Sequence, residues 1–370
     1  MSDQSQGETE RIIPVMKDKK NGKLIYLLWL LLFGVCMAGM LYYSAHKTII
    51  IADAYLEENA NLQESGYAEH GKQEVTLQLE EDTKSRECFH IPLPVGIKAE
   101  HVVMENHYME KELWVFVQSE QQEFYKENVV YGALSPVLSG CSEKQQDGIL
   151  LKFKMDKVLE YKSTMEENRL TIAYFNPKEL YPYIMVLDAA GGGTENGGAG
   201  RRVYEKEVVL QAARLVQKKL SGAEIRVYMT RTEDVDVSPE ARVALAEEVK
   251  ADFYVRLSTA AGEPESYGIR STYNEEYFIP VFGSEKLADV LTRETAIAAS
   301  NRALGIFDAG EESLLNLLSV RGAELSIGYL TNEKEEELLM QQAYQEKLAE
   351  GISKAILEAC EELKTAEEQN

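Results

Sequence analysis

The stretch from Ile184 to Leu210, IMVLDAAGGGTENGGAGRRVYEKEVVL, constrains the fold more than any other part of the chain. Ile184, Met185, Val186 and Leu187 form a short apolar run that reads as a buried strand, and the run ends on Asp188. A glycine-rich loop follows, and a helix is expected to open near Tyr204 or Glu205. A strand feeding a helix through such a loop belongs to an open α/β sheet, whose ligands sit beyond the carboxyl ends of the strands.

The sequence downstream keeps alternating, which indicates α/β layering over residues 181–365. EKEVVLQAARLVQKKL carries apolar residues at helical spacing, and IRVYMTR reads as a strand. SPEARVALAEEVK is a second helix, with Ser238 as N-cap and Pro239 in the first helical position. ADFYVRLS, YGIRSTYN and AELSIGYLTN read as further strands, with the helix KLADVLTRETAIAASN among them. From Glu333 to Leu363 the pattern is helical, and Leu348, Ile352, Ile356 and Leu357 are placed to pack on the sheet.

Residues 74–178 alternate with the period of half-buried strands. Val75, Leu77 and Leu79 face one way in EVTLQLE, and HVVMENHY, ELWVFVQS, GILLKFKM and RLTIAYFNP behave similarly. Polar, turn-forming stretches separate them, so a small antiparallel sandwich is expected.

The N-terminus has a different character. Residues 1–23 are polar and carry Arg11, Lys17, Lys19, Lys20 and Lys23. The uncharged run Leu24–Tyr43 is long enough, at about 20 residues, to cross a bilayer core as a helix, and residues 24–45 are assigned to a membrane span. The basic flank precedes the span, so a cytoplasmic N-terminus and extracytoplasmic C-terminal domains are expected. A cleaved signal peptide competes with this reading, but the apolar run is long for one and no Ala-x-Ala site follows. Residues 46–73 read as a membrane-proximal stalk, with Ile49, Ile50 and Ile51 extending the span.

A net charge of −23 argues against a broad basic face for nucleic acid or anionic lipid. Cys88 and Cys141 both fall in the β-rich region, where an exported compartment permits a disulfide. Their spacing leaves the pairing open. The loop GGGTENGG lacks the Gly-Lys-Ser/Thr of a phosphate-binding loop.

The segment LDAAGGG…EKEVVL resembles the opening of the zinc-dependent N-acetylmuramoyl-L-alanine amidases, Leu-Asp-Pro-Gly-His-Gly-Gly followed by Glu-Lys-Asp before a helix. MTRTEDVDVSPEARVALAEEVKADFYVRLSTAAG and ELSIGYLTN match later blocks of that family in the same order. The resemblance covers nearly all of 181–365 and implies the amidase fold. It also implies a site in which a His, a Glu and a second His hold zinc, and a further Glu handles the proton of the attacking water. At those positions this chain has Gly191, Glu205, Ser258 and Ser326. Only Glu205 is retained, and no histidine follows His107.

The resemblance therefore implies a degenerate member of the family, with zinc not expected. Asp188, Glu205 and Arg231 are the remaining candidate ligand-binding residues. A hard cation on Asp188, Glu195 and Glu205 is one alternative. Arg231, following Thr230, is also expected to hold a strand end by hydrogen bonding. Glu205 is expected to be exposed, so that Glu205→Ala leaves the fold intact. Gly191→His, Ser258→His and Ser326→Glu together are expected to recover zinc if the backbone keeps the family geometry.

The combined expectation is an α/β amidase-like open sheet flanked by helices, preceded by a small β-rich domain and one transmembrane helix. Its work would be non-catalytic, with peptidoglycan or cell-wall proteins as partners. An active amidase with an unrecognised metal site and a purely structural interaction protein are the alternatives.

Overall fold

The computed structural model describes residues 51–53, 73–79 and 87–368. All of them lie in one compact unit, Thr48–Asn370. The Leu24–Tyr43 run and most of 46–73 lie outside the described residues. Among the described residues no helix is long and apolar enough to cross a membrane.

The N-terminal part is a sandwich of two sheets. Its strands are β1 (Ile51–Asp53), β2 (Gln73–Glu74), β3 (Leu77–Leu79), β4 (Cys88–Pro92), β5 (Val102–His107), β6 (Glu112–Gln118), β7 (Val130–Gly132), β8 (Val137–Gln145), β9 (Gly148–Met155), β10 (Glu160–Glu166) and β11 (Arg169–Phe175). A six-stranded sheet runs β1-β5-β6-β9-β8-β2, and a five-stranded sheet runs β10-β11-β4-β7-β3. Leu113, Val115 and Val117 of β6 and Ile149, Leu151 and Phe153 of β9 meet Phe89, Ile91, Leu170 and Ile172 in the core. That interdigitation is what period-two patterning produces.

Four details correct the sequence reading. The pairing is not wholly antiparallel, because β1 runs parallel to β5 and β3 parallel to β7. Ile51 belongs to β1, so it extends a sheet edge and not the apolar span. Val75 is buried but Leu79 is 62% exposed, because β3 is a short strand at the edge of its sheet. Cys88 carries a free thiol, and burial pushes its pKa up. It lies on β4 of one sheet and Cys141 on β8 of the other, and the disulfide that the sequence left open is not formed between them.

The C-terminal part has a single sheet, ordered β13-β12-β14-β17-β15-β16. Its strands are β12 (Tyr183–Ala189), β13 (Ile225–Met229), β14 (Phe253–Ala260), β15 (Ile269–Tyr273), β16 (Ala303–Asp308) and β17 (Arg321–Tyr329). Pairings are parallel except where β15 meets β17. The helices are α1 (Pro177–Leu180), α2 (Glu205–Leu220), α3 (Pro239–Glu248), α4 (Ser284–Ala299), α5 (Glu333–Leu339) and α6 (Gln342–Glu368). Ser238 caps α3 as its sequence predicts, accepting from the Ala241 N–H at 3.2 Å.

One face of this sheet is covered by α2, α4 and α6. Val209, Val216, Leu287, Leu291, Ile352 and Ile356 seal it against Val255, Leu257 and Leu325. The other face carries α3, and there the sandwich completes the cover. Tyr108 and Val158 join Ile184, Val186, Tyr228, Leu245 and Tyr254 in one apolar cluster. The Tyr108 hydroxyl donates to the Met229 carbonyl at 2.9 Å and accepts from its N–H at 3.0 Å. Arg226 pairs with Glu160 at 2.7 Å, and the Val158 N–H donates to Glu248 at 2.8 Å. Burying each large side chain at such a contact contributes about 1.5–3 kcal/mol. The β-rich part is thus packed onto the α/β part and shares its core.

Candidate functional site

The loop after β12 is built by hydrogen bonds to its own backbone. Gly192 and Glu195 exchange N–H···O bonds at 2.9 Å, which folds the glycines into a tight hairpin. Gly191 has φ +66°, in the left-handed region where glycine is favoured. A Cβ there would lie 2.7 Å from the Glu195 carbonyl oxygen. A histidine at 191 therefore requires the loop to move, so the three-residue restoration of a zinc site does not fit this backbone.

Side chains from three directions fix the loop. Arg242 donates to the Gly191 carbonyl at 2.7 Å. Lys206 donates to the Gly193 carbonyl at 2.7 Å and pairs with Asp234 at 2.9 Å. Asp234 accepts from the Gly193 N–H, and Asp236 accepts from the Thr194 N–H, both at 2.8 Å. Lys206 first and the Gly193 N–H second hold the Asp234 carboxyl below the usual carboxylate range.

Arg231 is a brace. It is 2% exposed, and its guanidinium donates to the carbonyls of Ala189 at 3.0 Å, Ala190 and Lys206 at 2.8 Å, and Glu233 at 3.2 Å. Burial, then the nearby Arg242 charge, bring its pKa down to about 10. These contacts tie β12, the loop and α2 together, as the strand-end reading expects. They point its donors at backbone and away from a ligand.

Asp188 is fully buried and ringed by donors. Thr230 Oγ1 donates at 2.6 Å and the Tyr254 hydroxyl at 2.7 Å, and the guanidiniums of Arg242 and Arg256 both pair with it. Burial alone raises a carboxyl pKa, but the two arginine charges together with the Thr230 and Tyr254 hydrogen bonds outweigh it, and the net shift is downward. A carboxylate so enclosed is unavailable to a ligand or a divalent cation, which removes the cation reading built on it.

Glu205 opens α2 and is 8% exposed, not the exposed carboxylate expected. Its two oxygens accept from the N–H groups of Gly198 at 2.6 Å and Thr259 at 2.5 Å. The carboxylate stitches the glycine loop to the end of β14. A Cβ on Gly197, at φ +67°, would sit 2.1 Å from Glu205 Oε2, so glycine is required where the loop passes the acid.

Ser258 and Ser326 lie side by side. They are register partners on β14 and β17, and their hydroxyls are 3.2 Å apart and buried. The positions that the resemblance assigns to the metal site therefore gather at the carboxyl ends of β12, β14 and β17. What they present is a neutral hydroxyl pair, a bound carboxylate and a glycine. Zinc favours imidazole and thiolate donors, and the donor set here does not fit it. Among the described residues no group of three or more His, Cys, Asp or Glu side chains is arranged to hold a metal ion.

Sequence reasoning missed Arg256, Tyr254 and Lys206. The period-two pattern of β14 places Tyr254, Arg256 and Ser258 on one face, and that alternation was the available signal. It also missed Arg270, which the antiparallel pairing of β15 with β17 sets opposite Ser326.

Residues 185–358 match the family model described as N-acetylmuramoyl-L-alanine amidase. The germination-specific N-acetylmuramoyl-L-alanine amidase of Bacillus subtilis (strain 168) is 29% identical over 191 residues, covering 47% of this chain and 78% of that protein. The probable cell wall amidase LytH of Staphylococcus aureus is 28% identical over 193 residues, covering 50% of this chain and 61% of that protein. Among solved structures, an N-acetylmuramoyl-L-alanine amidase from Clostridium difficile 630 is 28% identical, with a TM-score of 0.46 over 48% of this chain and 97% of that one.

Proposed function

From a C-terminal domain that matches the N-acetylmuramoyl-L-alanine amidase family, we propose that the protein is a non-catalytic cell-wall protein that contacts peptidoglycan or regulates proteins that act on it. The observation that carries the reading is the hydroxyl pair of Ser258 and Ser326, 3.2 Å apart where amidase chemistry needs an imidazole ligand and a proton-handling carboxylate. Glu205, the retained acid, is hydrogen-bonded to two backbone N–H groups and holds the loop. Among the described residues the site offers zinc neither an imidazole nor a thiolate donor.

The reading includes an anchor at Leu24–Tyr43, with the folded unit outside the cytoplasm. A reporter fused after Asn370 should then be active only outside, and a mature chain beginning near Ser44 would remove the anchor.

The test of function uses the full chain in detergent. Elemental analysis should find no stoichiometric zinc, and incubation with peptidoglycan should release no stem peptide. One zinc per chain, with peptide release abolished by a chelator, would make the protein an active amidase. Soluble muropeptides should bind at the carboxyl ends of β12, β14 and β17, where Gly191, Glu205, Ser258 and Ser326 gather. Their failure to bind would leave a purely structural partner-binding role.

A further inference from the structure

The face of the sheet that carries the two serines also carries an arginine without an anion. Arg270 on β15 is the direct register partner of Ser326 on β17, and Ser326 is the register partner of Ser258 on β14. Directly opposed residues share a sheet face, with Cβ atoms about 5 Å apart. Ser258, Ser326 and Arg270 therefore form one transverse row across three strands. The next row back holds Arg256, Glu324 and Thr272.

The two rows differ in their pairing. Arg256 is neutralised by Asp188 and by Glu324, the latter at 3.4 Å. Arg270 pairs with no carboxylate among the described residues, and its buried Nε has no hydrogen-bond partner. Its guanidinium is stacked over the Phe307 ring at 4.8 Å, which holds the planar group in place from one side. A buried guanidinium N–H left unsatisfied costs stability, and in a chain of net charge −23 there is no shortage of carboxylates to satisfy it. Two acids of the site are engaged elsewhere: Glu205 with the Gly198 and Thr259 N–H groups, Glu324 with Arg256. The outer end of the row is open: its β16 member is Gly305, beside which a Cβ would meet no atom within 4 Å, and the neighbouring Phe307 is 44% exposed.

We propose that Ser258, Ser326 and Arg270 form an oxyanion-binding row that takes a carboxylate of the ligand. The fixed guanidinium supplies charge and two-pronged donors, and the serine pair supplies the one hydroxyl proton not used within the pair. A site that in active relatives would gather cationic charge on a metal here gathers it on one arginine. The choice of a muropeptide carboxylate as the ligand rests on the function proposed above, whereas the oxyanion row does not.

The experiment titrates the full chain in detergent with four probes: N-acetylmuramoyl-L-alanyl-D-glutamate, its diamide, succinate and inorganic phosphate. The acid muropeptide should bind the parent, and Arg270→Gln should weaken it by about tenfold, as expected for loss of a charge-assisted pair. Arg270→Lys should recover part of the loss by restoring the charge without the fork. The diamide should bind the parent about tenfold more weakly than the acid does, a comparison that needs no variant to fold. A diamide that binds as tightly as the acid, or an Arg270→Gln protein that binds the acid like the parent, overturns the row and leaves wall-fragment binding standing. Succinate or phosphate binding that Arg270→Gln loses, with no muropeptide binding, keeps the row and removes the wall ligand. A preference for phosphate over both carboxylates overturns the assignment to a carboxylate. Absence of binding by all four probes overturns the row and the wall ligand together.

Discussion

Asp188 and Ser326 stand on strands that flank β14 in the same sheet, and their surroundings are opposite. Around Asp188 two guanidiniums, a threonine and a tyrosine converge on one fully buried carboxylate. Around Ser326 there is one serine partner and no formal charge within the pair. The first cluster supports the loop and strand ends. The second lies where the chemistry of the family is expected. The Asp188 cluster is charged and closed, and the Ser258–Ser326 pair is neutral. Buried charges of a frame are interdependent, so removing one strands the others. Exchanging a hydroxyl within a neutral pair disturbs little else.

That contrast predicts a graded series of stabilities. Asp188→Ala should be the most damaging, destabilising by about 3–5 kcal/mol, because it leaves Arg242 and Arg256 facing each other without their shared anion. Chemical denaturation measures it, and a loss below about 1 kcal/mol would mean the arginines find other partners. The same carboxylate sets an acid limit. Its folded pKa lies below its unfolded value of about 4, so the stabilisation is complete above that pH and is lost as pH falls through the folded value. Stability against pH should therefore fall less steeply below about pH 4 in Asp188→Asn than in the parent.

Glu205→Ala comes next. It frees two N–H groups in a nearly buried setting, at a cost of about 1–3 kcal/mol. Hydrogen exchange should speed up at Gly198 and Thr259 more than elsewhere. Equal protection at those two amides would show that the acid does not join loop to strand.

Gly191→Ala should cost more than about 1 kcal/mol, from the positive φ and the close Glu195 carbonyl. If thermal unfolding shows the variant as stable as the parent, the loop is more plastic than its hairpin suggests, and a metal-binding histidine regains a place there.

The smallest effect should come from the serines. Ser258→Ala and Ser326→Ala should each cost about 0.5–1.5 kcal/mol, and the double variant less than their sum, because the second removal breaks no further bond. Strictly additive losses would place the two hydroxyls in separate interactions and dissolve the pair on which the comparison turns.

Much of the fold was legible because its signals are local. The GILLKFKM alternation gave β9, Ser238 and Pro239 gave the start of α3, and the IMVLD run with its glycines gave β12 and the loop. Strands such as β4, β7 and β16 were not foreseen. They are short or lie next to polar stretches, and their pairing comes from neighbours far away in the chain. At the site, the identities of Gly191, Ser258 and Ser326 were legible, but the state of Glu205 was not. An acid at a helix start reads as exposed unless the approach of Thr259 and Gly198 is known.

The sequence by itself determined two things: the alternation that commits residues 181–365 to α/β layering, and the absence of any histidine after His107. Both depend only on residue type and short spacing. Tertiary structure alone decided that Arg231 braces backbone, that Asp188 is enclosed by arginines from α3 and β14, that the sandwich closes one face of the α/β sheet, and that Arg270 stands beside the serine pair. The physical reason is that strand periodicity tells which side chains share a face of their own strand, whereas strand order and direction tell what they meet. β15 enters the sheet against the direction of β17, and that one reversal sets Arg270 opposite Ser326.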